Sequence, residues 1–519
     1  MRMVVERGLL GTGQQVVPAD RPPAYASRTL MPPCRSRPDA PADRAPARAG
    51  TARLCAIARR IAWALGLVLA SAAAAQTPAA FAGAARTLLS DPVPRVRGEA
   101  ALVLAAGREA RDFEAIRRVA GEAEPESAHR AMVALGILAA PGTSQLLVPL
   151  LPEPGARIED RGVVAAFALA LLPDDQGSAE LARVLVRTRQ GSFRRQQPLL
   201  HALALGTSLR SGTMHAGALE QLLHDQALKD PVVRSLLLAS LGRIEGMPVD
   251  ADLEAAFASP QAAERRAALQ VLTGRTAFQP WVDTALRLQE RDPDPQVRAL
   301  ALALLTRARH QQALERSVRM LRATDAVERA QAVRTLLQLG GGAVRSAVES
   351  AIRTEADATL ATAMLLALRG SPSEAMVRWS REAALDPRKA PDLRTACALV
   401  ALDAHAGEMV PVLTAGLQEG SESVARDAAA AALRRIDDSL DVAALAPASA
   451  VHAERTARVL GSLLRQGHPQ AASHALRLLE DAEAGPAVRA AVLSAVRTAL
   501  LPWLDATSGP LPLRAALAP

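Results

Sequence analysis

Six stretches of this chain repeat one phrase: SDPVPRVRGEAALVLAAG from Ser90, KDPVVRSLLLASLG from Lys229, RDPDPQVRALALALL from Arg291, ATDAVERAQAVRTLLQLG from Ala323, GSESVARDAAAAALRRI from Gly420 and GPAVRAAVLSAVRTAL from Gly485. Each opens on an acidic or Pro-marked turn, continues through an arginine and runs into an Ala/Leu-rich helix. Recurrence at a near-constant period predicts an array of small supersecondary units, each burying its apolar face against its neighbours. Pro suits the first turn of a helix and Asp favours its positive end, so these residues mark where each helix begins.

Working outward from those stretches, the chain from Ala79 onward parses into helix pairs with a period near 33 residues. An amphipathic A helix precedes a B helix that carries the arginine. The predicted B helices are 93–106, 124–139, 157–172, 192–205, 231–244, 260–273 and 294–308, then 325–339, 355–369, 388–404, 421–436, 451–465 and 485–500. No run of alternating Val, Ile, Thr or Tyr bounded by hairpin turns predicts a strand. Half of the 519 residues are hydrophobic and only 2% are aromatic, so Ala and Leu fill the core, and both favour helix.

The phrase resembles the HEAT-repeat family: an apolar helix, an Asp/Pro turn, Val-Arg, then an Ala/Leu helix. Asp91, Val96 and Arg97, Asp230, Val233 and Arg234, and Asp292, Val297 and Arg298 carry the match, and Arg329, Arg426 and Arg489 continue the arginine series. The resemblance covers roughly residues 79–500, is faint at 157–172, 355–369 and 451–465, and extends to the HEAT-like repeats of phycobilisome-linked lyases. It implies an all-α fold, a right-handed α-solenoid of about thirteen HEAT-like helix pairs. A stretch from Glu382 also looks locally like a tetratricopeptide unit, without that family's aromatic positions, and reads as a longer HEAT-like pair. The arginine series has two readings: an Asp–Arg ladder along the turns, or a basic groove for an anionic ligand.

The formal charge of +8 is unevenly placed. Residues 1–75 hold 11 Arg against 4 acidic residues, and the remainder holds 50 basic against 49 acidic. A near-neutral body argues against a nucleic-acid-binding stripe. Arg53, Arg59 and Arg60 precede the apolar run Ile61–Ala70, and Ala73-x-Ala75 stands before Gln76. These are the parts of a secretory signal peptide, with cleavage predicted between Ala75 and Gln76. The apolar run is short for a membrane span, although an uncleaved inner-membrane anchor is the alternative. The expected divisions are a disordered or mis-annotated extension over 1–52, the signal peptide over 53–75, the solenoid over 76–500 and a C-terminal cap or tail over 501–519.

Chemical motifs are sparse. Of Cys34, Cys55 and Cys397, only Cys397 follows the predicted cleavage point, and its apolar surroundings predict a buried small hydrophobe. His201, His215 and His224, and the pair His468 and His474, lack metal-ligand spacing. There is no G-x-S-x-G elbow and no phosphate-cradling Gly-rich loop before Lys-Ser/Thr. Gly340–Gly342 reads as a turn between repeats. Trp281 and Trp379 sit at helical spacing with apolar residues and read as core packing, with interface anchoring the alternative. The sequence therefore predicts no catalytic, cofactor-binding or metal residue. The functional expectation is an exported, non-catalytic scaffold or adaptor that binds protein partners in a bacterial cell envelope, periplasmic or secreted, without nucleic acid and without stable membrane insertion after cleavage. The alternatives are a lyase-like or ligand-handling module and, third, a nucleic-acid-binding solenoid like the HEAT-type DNA glycosylases.

Overall fold

The computed structural model describes residues 79–151, 159–172, 193–209, 216–225, 230–242, 244, 247–368, 372–436, 441–447 and 449–505. The extension, the signal peptide with Ala75 and Gln76, and most of the predicted tail lie outside them. Among the described residues every regular element is helical and there is no strand. The B helices stand where the repeated phrase predicts them. They are α1 (Pro94–Gly107), α2 (Pro125–Leu138), α3 (Asp160–Ala170), α4 (Phe193–Leu209), α5 (Pro231–Gly242), α6 (Ala262–Gly274) and α7 (Pro295–Arg307). The series continues with α8 (Ala326–Leu339), α9 (Ala358–Leu368), α10 (Pro391–Ala401), α11 (Ser423–Ile436), α12 (Ala453–Arg465) and α13 (Pro486–Leu500). The A helices, among them Phe113–Ala120, Asp250–Ala258, Val282–Arg291 and Ala313–Met320, pack against the B helices.

Local chemistry explains the helix starts. Pro occupies the first turn of α1, α2, α7, α10 and α13, where its missing N–H costs no intrahelical bond. Asp294 caps α7 by accepting from the Val297 amide, and Asp325 caps α8 by accepting from Val327 and Glu328. Gly340 and Gly341, with φ of 78° and 106°, make the turn out of α8, a left-handed backbone that glycine adopts without strain.

The two helix types bury differently. The A helices are amphipathic: Ala313–Met320 buries Ala313, Arg316, Ser317 and Met320 and leaves its other face to solvent. The B helices are the core. Gly98–Ala105 of α1, Ala131–Leu138 of α2, Gly162–Ala170 of α3 and Ala490–Arg497 of α13 are buried without interruption. Small residues allow this close approach. A Cβ on Gly136 of α2 would come within 2.4 Å of the Ala168 carbonyl oxygen of α3. Each fully buried leucine in these rows stabilises the fold by about 1.5–3 kcal/mol relative to exposure.

Neighbouring B helices pack in chain order from α1 to α13, and α13 then packs against α1. The series of contacts has no free end. An open solenoid needs polar outer faces on its terminal repeats, whereas here the first and last B helices are buried against each other.

Candidate functional site

Five of the six signature arginines, and Arg265 at the equivalent position of α6, pair with an acid of an adjacent repeat. Arg97 of α1 donates from Nε and Nη2 to Glu122, at the turn before α2, with its closest oxygen at 2.7 Å. Its Nη1 donates to the carbonyls of Asp91 and Pro92 in its own turn. Arg265 grips Asp292 at 2.6 and 2.8 Å, and Arg329 grips Glu355 at 2.8 and 3.0 Å. Arg234 reaches Glu264 at 3.2 Å, and Arg298 binds Glu328. Each rung joins an arginine to an acid of the following repeat. The ladder therefore runs between units: Asp91 and Asp292 accept an arginine of another repeat while holding a backbone amide of their own turn. Asp230 accepts from the amides of Val232 and Val233.

The rungs are partly buried, and this shapes their titration. Burial opposes ionisation of Glu122 and Glu355, but hydrogen bonds from Arg97 and Ser127 to the first, and from Arg329 to the second, outweigh it. Both carboxyls are held below their ordinary value.

Closure of the circuit reuses the same chemistry. Arg489 of α13 donates through Nη1 to Asp91 Oδ2 at 2.7 Å, across 398 residues of chain. Asp91 thus serves α1 as Glu122 serves α2. Deeper in the same interface Arg497 Nε lies 3.0 Å from Glu99 Oε2, and both side chains are 0% exposed. Arg130 of α2 approaches the other oxygen of Glu99 at 3.2 Å. Gly98 permits that approach, since a Cβ there would meet Arg130 Cδ at 2.9 Å. One buried carboxylate is held between guanidiniums from the helices on either side of it.

The other sequence candidates are dispersed. Cys397 is buried in α10, and burial pushes its thiol up to about 12, far from a reactive thiolate. His224 Nε2 lies 2.7 Å from Asp252 Oδ1. His474 contacts the Ala446 carbonyl at 2.9 Å, and His468 is buried. His215 falls outside the described residues. Among the described residues no group of His, Cys, Asp or Glu is placed to hold a metal ion, and no helix is long and apolar enough to cross a membrane.

Trp379 and Trp281 are both half-buried and pack against the core. Trp281 also borders an open groove on the A-helix side. Its ring lies 5.4 Å from that of Phe257, tilted by 48°, and Glu254 and Arg287 flank the pair. Core periodicity accounts for the buried side of Trp281 but gives no sign of this open one. Compared with protein-family models and with the curated proteins, the chain matches none.

Proposed function

We propose that this chain is an exported, non-catalytic protein-binding scaffold of the bacterial cell envelope. In this reading it is a right-handed array of about thirteen HEAT-like helix pairs, bent until its ends meet. The observation that carries the reading is how the arginine series is spent. Arg97, Arg234, Arg298, Arg329 and Arg489 are engaged by carboxylates of adjacent repeats, which favours the ladder over a basic groove. Conserving relative positions across a long array is what a platform needs.

The groove at Phe257 and Trp281 supplies a surface suited to a protein partner. An aromatic pair flanked by an acid and a base fits a partner segment carrying one apolar anchor between charged residues. The N-terminal signal pattern ending at Ala75 supports export.

The test is a crosslinking pull-down from envelope extracts with the wild-type chain and with Trp281→Ala. Recovery of a specific protein by the wild type, weakened at least tenfold by the substitution, is the expected outcome. Recovery of none under several crosslinker lengths would count against the scaffold reading. Equal recovery by both chains would move the interface away from the groove.

A further inference from the structure

Among the described residues, one arginine of the ladder keeps an unfilled donor. In the rungs of Arg97, Arg298 and Arg329 the guanidinium divides its work the same way. Nη1 donates to two backbone carbonyls of its own turn, and the other edge takes a carboxylate from the next repeat. Arg426 of α11 performs the first half: its Nη1 donates to the carbonyls of Gly420 at 2.8 Å and Ser421 at 2.7 Å. The second half is missing. Its Nε is sealed from solvent and has no hydrogen-bond partner, and the residue is only 7% exposed.

The sequence explains the vacancy. A rung acid comes either from the turn residue equivalent to Asp91, as with Glu122, Asp292 and Glu355, or from the helix residue equivalent to Val96, as with Glu264 and Glu328. At the start of α12 those two positions hold Ala450 and Arg455. The neighbouring acid Asp427 is already taken by Arg465, in a two-pronged pair at 2.8 and 3.0 Å. Arg394 of α10 also lacks a rung acid, but it spends its Nε on the Ala384 carbonyl at 3.0 Å. At Arg426, burial together with the charges of Arg458 and Arg465 outweighs Asp427 and Asp392, and holds the guanidinium below its ordinary value. A buried guanidinium whose Nε has no acid bonded to it is an unfavourable state that an anion relieves.

We propose that the interface between α11 and α12 at Arg426 is an oxyanion-binding site, in which oxygens of a phosphate or small carboxylate accept from Arg426 in place of the missing rung acid once the side chains that cover Nε draw aside. The ligand then closes the interface between these repeats as Glu355 closes that between α8 and α9. Binding is coupled to the local stability of α11 and α12, because the anion binds the folded interface and not the separated helices.

The experiment measures thermal unfolding of the full chain in inorganic phosphate and in succinate, each against sodium chloride at equal ionic strength. Phosphate also stabilises proteins by exclusion from their surface, so Arg426→Met is measured alongside. The wild type is expected to gain about 2–5 °C over chloride in at least one oxyanion, and Arg426→Met to lose that gain. The arm that works says whether the site takes phosphate or a free carboxylate. Ala450→Glu, which supplies a rung acid within the chain, is expected to melt higher in chloride and to show no further gain. An equal gain in Arg426→Met, a gain that survives in Ala450→Glu, or no gain in the wild type would each overturn the site.

Discussion

Glu99→Ala is the most demanding perturbation of this fold. Glu99 and Arg497 are fully buried and 3.0 Å apart, and Arg130 lies 3.2 Å away on the opposite side. Removing the carboxylate breaks the ion pairs that both Arg497 and Arg130 make with it, while Arg130 keeps Glu126 at 3.4 Å. Breaking a buried pair by deleting one partner costs about 3–5 kcal/mol, because the remaining charge stays desolvated. In a quasi-one-dimensional array that cost falls on the interface that contains it. Amide hydrogen exchange reads it directly, since the free energy of local opening sets the protection of each helix. Exchange of α1 and α13 should accelerate by about two to three and a half orders of magnitude, at 1.4 kcal/mol per tenfold. The helices α6 to α8, on the far side of the circuit, should change far less. Uniform acceleration along the whole chain, or unchanged protection in α13, would refute the reasoning.

Three further outcomes follow from the same geometry. Glu122 and Glu355 have folded-state values below the ordinary 4.5, so their stabilisation is complete above that value and is lost as pH falls through the depressed ones. The contribution of these rungs to melting temperature should therefore be flat above about pH 5 and fall below it, and Glu355→Gln should flatten that acid limb relative to the wild type; an unchanged limb would contradict the rung. Cys397, with its thiol pushed up to about 12, should resist iodoacetamide in the native chain and react only in denaturant, so rapid native labelling would disprove its burial. Gly136→Ala should destabilise by about 1–3 kcal/mol in denaturant titration, because its Cβ has only 2.4 Å to the Ala168 carbonyl, and a neutral effect would mean that α2 and α3 are not so closely packed.

The helix positions were legible because local rules write them. Pro or Asp starts most B helices and an Ala/Leu run marks them as buried, so α7 is readable from Asp294, Pro295 and Leu302 alone. The partners of the ladder were not legible. The acid alternates between a turn position and a helix position of the next repeat, and near Arg97 the closer Asp91 is a decoy that serves Arg489 instead. Closure was not legible either, because a local period says nothing about the two end faces. One signal did exist: Glu99, Arg130 and Arg497 border or interrupt the Ala/Leu runs of their helices, and charges buried among such runs need each other. At Trp281 the helical spacing identified the packed side and could not reveal the exposed one.

The central claim, that α13 closes on α1, is tested most directly by the distance between them. Spin labels at Pro92→Cys and Glu483→Cys, both exposed residues beside the Asp91–Arg489 pair, would be measured by double electron–electron resonance with Cys34, Cys55 and Cys397 replaced by Ser. Closure predicts a narrow distribution near about 20 Å, two helix diameters. An open array at about 8–10 Å per helix would hold the ends roughly 100 Å apart, and a broad distribution beyond about 60 Å would contradict the closed circuit on the same spacing.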